Sequence, residues 1–323
     1  MTKKIQFTIG ISASGKSSWA RNEWMIKGNL PIERDLIRAI IQLIGLANAR
    51  DICDVSYYMH AYCKGDLRPD WKRWKWKNEG AVTEIQRRLV EGAFSQRDIN
   101  GVIISDTNLN PQRLQNFKDF AVTIGYEVSH DMLFECSLED AWQNDAGRAG
   151  GVGHSVIFQQ WLTLERQKSQ PLILEAMRKR KPGKLIRQVV VFDVDGTLAR
   201  AHTRDIYDWS KVIEDEPIPE IVSIAHALIY AGKTLVVVSG RDGVCKKDTV
   251  KWLSGYDIQC EEVFMRPKDD MRRDTIVKKE IYLEKILPKY DVEMVFDDRP
   301  SVVRMWQSMG VPTCAVGTPH LEF

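Results

Sequence analysis

Short runs of consecutive apolar residues punctuate the chain at Ile5–Ile9, Val102–Ser105, Val189–Phe192, Thr234–Val238 and Val292–Phe296. Runs of this length, rich in β-branched residues, suit central parallel strands covered on both faces. Stretches with helical periodicity lie between them. Alternation of strand and helix predicts an α/β fold with parallel sheets in both halves of the chain. One helical stretch, Val156 to Met177, runs into the basic segment Arg178-Lys179-Arg180-Lys181-Pro182-Gly183-Lys184. That segment ends in Pro-Gly and reads as a linker. The expected domains are therefore 1–181 and 184–323, a division that suits 323 residues. No internal repeat or low-complexity tract interrupts the pattern.

Composition narrows the class without naming a function. Apolar residues make up 44% and charged residues 28%, as in globular proteins that fold in water. A formal net charge of +2 does not by itself imply nucleic acid, so a polyanion site must be a local patch. No apolar run approaches the roughly 18 residues of a membrane span, and Met1 to Gly10 is too short and strand-like for a signal peptide. The six cysteines form no CxxC pair, which points to a reducing compartment and a cytoplasmic location. Cys53, His60 and Cys63 suggest zinc only weakly, because the spacing is irregular and a fourth ligand is not evident.

Two phosphate-handling motifs of opposite chemistry occupy the strand ends. Gly10-Ile11-Ser12-Ala13-Ser14-Gly15-Lys16-Ser17 fits GxxxxGK[ST], follows a strand and precedes a helix beginning Ser17-Ser18-Trp19. Gly10, Ser12, Ala13, Ser14, Gly15, Lys16, Ser17 and Ser18 are expected around the phosphates of a nucleoside triphosphate, cradled by loop amides and the helix N-terminus. Lys16 would reach the β/γ-phosphates and Ser17 would help hold Mg²⁺. The plain alternative is a turn of small residues. For the acceptor, Glu33-Arg34-Asp35-Leu36-Ile37-Arg38 places a carboxylate able to take a hydroxyl proton and arginines able to clamp a phosphate. Read alone, it is also an ordinary charged helix start. Asp106, at the end of the second buried run, has the character of a carboxylate near Mg²⁺. Gly147 to Gly153 reads either as a lid carrying Arg148 to the transferring phosphate or as a flexible loop.

The second half carries Asp193-Val194-Asp195-Gly196-Thr197 after its first buried run. Asp193 is the expected nucleophile, forming an aspartyl-phosphate. Asp195 would protonate the leaving oxygen and then activate water. Carboxylates so close need Mg²⁺ against an incoming phosphate. Ser239-Gly240-Arg241 ends another strand as phosphate donors, Lys278 would neutralise the aspartyl-phosphate, and Asp297-Asp298 supplies an acidic pair for the metal. Each has a plain reading as a strand-end cap or solvated charge; the ordered set favours chemistry.

On these motifs, with Gly101 to Pro111 between them, the chain resembles the polynucleotide 5′-kinase/3′-phosphatase family of T-even bacteriophages over nearly its whole length. The resemblance implies a P-loop kinase domain followed by a phosphatase domain of haloacid-dehalogenase type. Carried over by position, ATP meets Lys16, Ser17 and the lid residue Arg148, Asp35 is the base for a 5′-hydroxyl, and Arg34, Arg38 and Asp106 serve the acceptor. The phosphatase set is Asp193, Asp195, Arg204, Ser239, Gly240, Arg241, Asp274, Lys278 and Asp297-Asp298. It further implies ATP and Mg²⁺, RNA or DNA ends that are single-stranded or nicked, 2′,3′-cyclic phosphates as further substrates, a homotetramer and hand-off to a ligase. Two departures stand out: Asn144 replaces a basic lid residue, and an insertion lies between Gly45 and Asp70. Just after it, Trp71-Lys72-Arg73-Trp74-Lys75-Trp76-Lys77 interleaves aromatic and basic residues, as single-stranded nucleic acid requires. The competing reading buries these tryptophans against the domain. A metabolite kinase fused to a small-molecule phosphatase, or a nucleic-acid scaffold with a degenerate kinase, are the alternative functions; intact Lys16, Ser17, Asp35 and Asp106 oppose the second.

Overall fold

A computed structural model describes residues 2–52, 54–64, 66–70, 73–147, 151–181, 185–201, 204–205 and 208–317. Two compact units divide the chain, Met1–Leu164 and Glu165–Phe323. The division falls inside the helix His154–Arg178 rather than at the basic run after it. The reason is packing: Ala176 is buried in the core of the second unit with Ile173 against it. Arg180 also docks there, donating to the carbonyls of Leu287 and Tyr290 and pairing with Asp291 at 2.6 Å.

In the first unit the strands are β1 (Lys4–Ile9), β2 (Asn29–Pro31), β3 (Gly101–Ile104), β4 (Glu127–Val128) and β5 (Met132–Leu133). Their order is β2-β3-β1-β4, with β5 also on β1, and the pairings are parallel. Every residue of β3 is buried, as expected of a central strand with both faces covered. Phe7 of β1 lies opposite Ile104 of β3, and Pro31 of β2 opposite Ile103. This register brings the ends of β1, β2 and β3 to one edge, and with them Gly10, Glu33 and Ser105. Ligands of open parallel sheets collect at such an edge.

The second unit is built on β6 (Arg187–Phe192), β7 (Ala199–Arg200), β8 (Glu216–Pro217), β9 (Thr234–Asp242), β10 (Glu262–Arg266), β11 (Tyr290–Asp297) and β12 (Thr313–Ala315). The main sheet is parallel in the order β10-β9-β6-β11-β12, while β7 and β8 form an antiparallel ribbon. Phe192 is opposite both Phe296 and Val237, and the Phe192 and Phe296 rings stack with centroids 4.5 Å apart. The next residues along these strands are therefore neighbours at one sheet edge: Asp193, Asp297 and the Val238-Ser239 step.

The insertion folds back on the first unit. It forms helices Leu46–Arg50 and Ser56–Lys64, and Ala49, Val55, Met59 and Tyr62 are buried in the main core. The Tyr62 hydroxyl donates to buried Glu33 at 2.5 Å, and the Arg68 guanidinium stacks 4.2 Å from the Tyr62 ring centroid. Gln42 closes the segment by exchanging hydrogen bonds with the backbone of Asp70. The aromatic-basic run then divides. Trp74 is 6% exposed and part of this core, whereas Trp76 is 66% exposed. So the stacking role expected of the run does not extend to Trp74. Trp71 and Lys72 lie outside the described residues, as do Cys53 and the side chains of His60 and Cys63. Among the described residues no helix is long and apolar enough to cross a membrane.

Removing a buried tryptophan forfeits both transfer free energy and packing, about 3–5 kcal/mol for Trp→Ala in a core. Trp74→Ala should lower the unfolding free energy of the first unit, read from urea denaturation, by an amount in that range, while Trp76→Ala leaves it nearly unchanged. Equal effects of the two substitutions would place both residues on the surface.

Candidate active sites

At the end of β1, Gly15 adopts φ +93° and starts the helix Lys16–Lys27, so Lys16, Ser17 and Ser18 form its first turn. The unpaired amides of that turn make a ready anion site. Lys16 is buried, its Nζ donating to the Ile11 carbonyl at 2.5 Å and to Ser14 Oγ at 3.3 Å. Two amide side chains brace the loop. The Ser12 N–H donates to Gln160 Oε1 at 2.7 Å, and Asn144 Nδ2 donates to the carbonyl of Ala13 at 3.1 Å. Ala13 has φ +63°, a left-handed conformation costly for a residue with a Cβ, and Asn144 helps hold it. Asn144 thus supplies a hydrogen bond to the loop where the resemblance implies a cation. Arg148 lies outside the described residues.

The acceptor side is organised by two carboxylates. Asp106 accepts from the Arg34 backbone N–H at 2.9 Å and from Gln86 Nε2 at 2.7 Å, capping the helix Arg34–Ile44 from a neighbouring strand end. Burial raises the Asp106 pKa, and those hydrogen bonds oppose the shift. Each oxygen retains a further lone pair, so the cap does not bar a metal contact. The second carboxylate, Glu79, has no signal in the sequence as a site residue. Arg38 grips it with Nε and Nη2, both at 2.9 Å, Arg34 Nη2 reaches it at 2.7 Å, and Trp74 Nε1 donates at 2.9 Å. Burial alone would raise Glu79, but the hydrogen bonds and charges of Arg38 and Arg34 outweigh it and bring the pKa to about 2. Arg38 also pairs with Asp35 at 2.6 Å. The Asp35 side chain is 44% exposed, whereas Arg38 is nearly enclosed.

In the second unit Asp193, Asp297 and Asp298 bring ligand oxygens within 4.8 Å of one another. Lys278, itself buried, lies 3.0 Å from Asp193 Oδ1 and 2.9 Å from Asp297 Oδ2. Burial drives the Asp193 pKa well up, with Lys278 opposing and Asp297, Asp298 and Asp195 reinforcing. Burial and then Asp297 raise Asp298. The opposed carboxylates keep Lys278 above its ordinary pKa despite a burial that acts to lower it. Asp193 Oδ1 is buried without an aligned hydrogen bond. One lysine facing three close carboxylates leaves negative charge uncompensated, so this oxygen donor set fits a hard divalent cation such as Mg²⁺. Gly196, at φ +75°, permits the approach of Asp298, since a Cβ there would lie 2.0 Å from Asp298 Oδ2.

Asp195 is held from behind. Arg241 donates to its two oxygens at 2.9 and 2.7 Å, and Arg204 reaches it at 3.3 Å. Both guanidinium groups are turned inward by Asp215, which pairs with Arg204 at 2.7 Å and Arg241 at 2.5 Å. The sequence reading places Arg204 and Arg241 around the phosphate; the geometry has them buried and acting through Asp195. Asp274 is likewise engaged, by Arg266 and Arg299, and packs so tightly on Gly240 that a Cβ there would lie 2.7 Å from its Oδ1. Ser239 is buried, its Oγ accepting from the Arg241 N–H at 3.1 Å. Glu79, Asp215, Gln160, Arg266 and Arg299 were missed by motif reasoning. Each is a common residue type whose side chain pairs with a predicted site residue outside any contiguous motif, at separations from 8 residues for Arg266 and Asp274 to 148 for Gln160 and Ser12.

Comparisons with known proteins match the two parts of the chain to two different families. Residues 5–171 match the family model described as an AAA domain, and residues 187–320 match the polynucleotide kinase PNKP phosphatase domain. The "Putative bifunctional polynucleotide kinase/RNA ligase" of Autographa californica nuclear polyhedrosis virus is 30% identical across the whole of this chain. The chain spans 44% of that relative's length. Among solved structures, one described as a Pnkp1/Rnl/Hen1 complex aligns with 98% of this chain and 96% of its own, at 22% identity and a TM-score of 0.40. The D,D-heptose 1.7-bisphosphate phosphatase from B. bronchiseptica aligns with 40% of this chain and 79% of its own, at 14% identity and a TM-score of 0.30.

Because the folded-state pKa of Glu79 lies below its ordinary value of 4.5, its contribution to stability is full above that value and is lost as pH falls toward about 2. Glu79→Gln should therefore be less stable than the parent at pH 6, with the gap closing as pH falls from 4.5 toward 2. Urea midpoints of both proteins across that range would test this; a gap independent of pH would remove the charge from the explanation.

Proposed function

We propose, for a chain that belongs to the AAA-domain family over residues 5–171 and carries a polynucleotide kinase phosphatase domain over 187–320, that it heals nucleic-acid ends. It transfers the γ-phosphate of ATP to a 5′-hydroxyl and hydrolyses a 3′-phosphate, including one opened from a 2′,3′-cyclic phosphate. The observation that carries this reading is the pair of strand-end constellations: Lys16, Asp35 and Asp106 following the parallel strands β1, β2 and β3 in one unit, and Asp193 beside Lys278 and Asp297 in the other.

In the kinase step the 5′-oxygen attacks the γ-phosphorus, the bond to the β–γ bridging oxygen breaks, and ADP leaves. Asp35 takes the hydroxyl proton, and Lys16 with the first-turn amides balances charge on the transferring group. In the phosphatase step an oxygen of Asp193 attacks the 3′-phosphorus and Asp195 gives a proton to the departing 3′-oxygen. Water then attacks the phosphorus of the aspartyl-phosphate, Asp195 takes its proton, and inorganic phosphate leaves. Arg241 and Arg204 fix the direction of Asp195 in both halves, and Lys278 offsets the charge on Asp193. When bound, Mg²⁺ at Asp193, Asp297 and Asp298 would supply Lewis-acid stabilisation of the phosphoryl oxygens; Ser17 and Asp106 are the proposed metal contacts of the kinase unit. Homotetramer assembly and hand-off to a ligase rest on the family resemblance. The name of the viral relative, which couples polynucleotide kinase with RNA ligase, supports the hand-off.

The direct assay follows both ends of 5′-hydroxyl, 3′-phosphate oligonucleotides incubated with ATP and Mg²⁺. Lys16→Ala and Asp35→Asn should each abolish 5′-phosphorylation, and Asp35→Asn should retain ATP binding. Asp193→Asn should abolish 3′-dephosphorylation, because an amide is a far poorer nucleophile, while kinase turnover stays within about twofold as expected of independent sites. Loss of both activities in folded Asp193→Asn protein would mean one shared site. Phosphorylation of small metabolites in preference to oligonucleotides would favour the metabolite-kinase alternative.

A further inference from the structure

The acceptor lip holds little net charge for a polyanion. Arg34 and Arg38 are both gripped by Glu79, and Arg38 also by Asp35, so two guanidinium groups face two carboxylates. Cations remain immediately alongside. Arg73, Lys75 and Lys77 are exposed, and none of the three is held in an ion pair among the described residues. Between the two lysines stands Trp76, 66% exposed, in a single helical turn, Trp76–Asn78, that leads directly into the helix Glu79–Ser95.

That turn is fixed at both ends to the acceptor residues. On one side Trp74 is buried in the core, its indole N–H on Glu79 and the Arg38 guanidinium 6.0 Å from its ring centroid. On the other side Glu79 itself is clamped by Arg34 and Arg38. Backbone bonds from Arg73 N–H to the Asp70 carbonyl and from Asn78 N–H to the Lys75 carbonyl close the segment. An exposed indole flanked by cations, carried on an anchored turn, matches what single-stranded nucleic acid requires: a stacking face beside charges that follow the backbone. A segment only meant to pack would bury Trp76 as it buries Trp74.

We propose that Trp76, with Arg73, Lys75 and Lys77, forms a subsite for the single strand that continues 3′ from the acceptor nucleotide. Trp76 stacks on a base, and the three cations meet its phosphates. The proposal rests on the polynucleotide kinase reading and deepens it: the acceptor is a single-stranded oligonucleotide rather than a lone nucleotide or a blunt duplex end. Continuity with Asp35 through Arg38 and Glu79, together with charge complementarity, selects this occupant over a protein partner.

The test compares two 5′-hydroxyl acceptors, a nucleoside 3′-monophosphate and a single-stranded hexanucleotide, in the full-length protein with ATP and Mg²⁺. The readout is the ratio of KM for the mononucleotide to KM for the hexamer. In the parent the ratio should be large. W76A should lower it by about 10-fold or more, the equivalent of one lost base stack, whereas W76F, which keeps an aromatic face, should largely restore it. The double variant K75A/K77A should flatten the salt dependence of hexamer binding, measured by fluorescence anisotropy, by a log–log slope of about 1.4. Unchanged urea midpoints would confirm that the variants are folded. A parent ratio near 1, or a W76A ratio equal to the parent's, overturns the subsite alone and leaves the kinase reading intact. A parent that phosphorylates neither acceptor overturns the kinase reading and the subsite with it.

Discussion

Parallel backbone pairing is the constraint on which both sites depend. In a parallel ladder every strand points the same way, so the residues that follow each strand emerge at one edge. In the second unit the register that sets Phe192 opposite Phe296 makes Asp193 and Asp297 neighbours although they are distant in sequence. A slip of one residue would turn alternate side chains to the opposite face and separate the carboxylates. In the first unit the pairing of β1 with β3 does the same for the loop after Ile9 and for Asp106. The buried apolar strands therefore stabilise the sheet and also set the spacing of charges at its edge.

A second regularity is that the enclosed cations of the second unit, and the arginines at the start of the helix Arg34–Ile44, have committed anionic partners. Lys278 sits among Asp193 and Asp297, Arg241 and Arg204 among Asp195 and Asp215, and Arg34 and Arg38 on Glu79. Desolvation makes any other arrangement expensive, since removing one partner leaves an uncompensated buried charge. The functional result is rigidity. Asp195 meets the solvent side of its site with both oxygens already held by guanidinium groups, so its direction is set before a substrate arrives. By contrast the Asp35 side chain, proposed to take a proton, keeps an open face.

Short-range pattern was enough for the elements and for the residues that end them. Apolar runs identified the central strands, and GxxxxGK[ST] and DxDGT are contiguous, so their geometry follows from one strand, one turn and one helix start. Lys16, Asp35, Asp106, Asp193, Asp195 and Asp297 could be found because each follows a buried strand or opens a helix. Even the insertion was visible as added length, although its packing through Tyr62 and Arg68 was not.

What the tertiary structure alone decided is which charge faces which. Glu79 and Asp215 are ordinary acidic residues with no local pattern, and they become organising carboxylates only because folding brings distant arginines to them. Trp74 and Trp76 are alike in type and neighbourhood along the chain, yet one is core and the other surface. Residue type gives both an apolar face and an N–H; only the path of the chain over the domain settles which indole is desolvated. Sequence determined the strands and the chemistry at their ends, because those depend on near neighbours and hydrophobic burial. Partnering among buried charges depends on positions far apart in the chain, and was left to the fold.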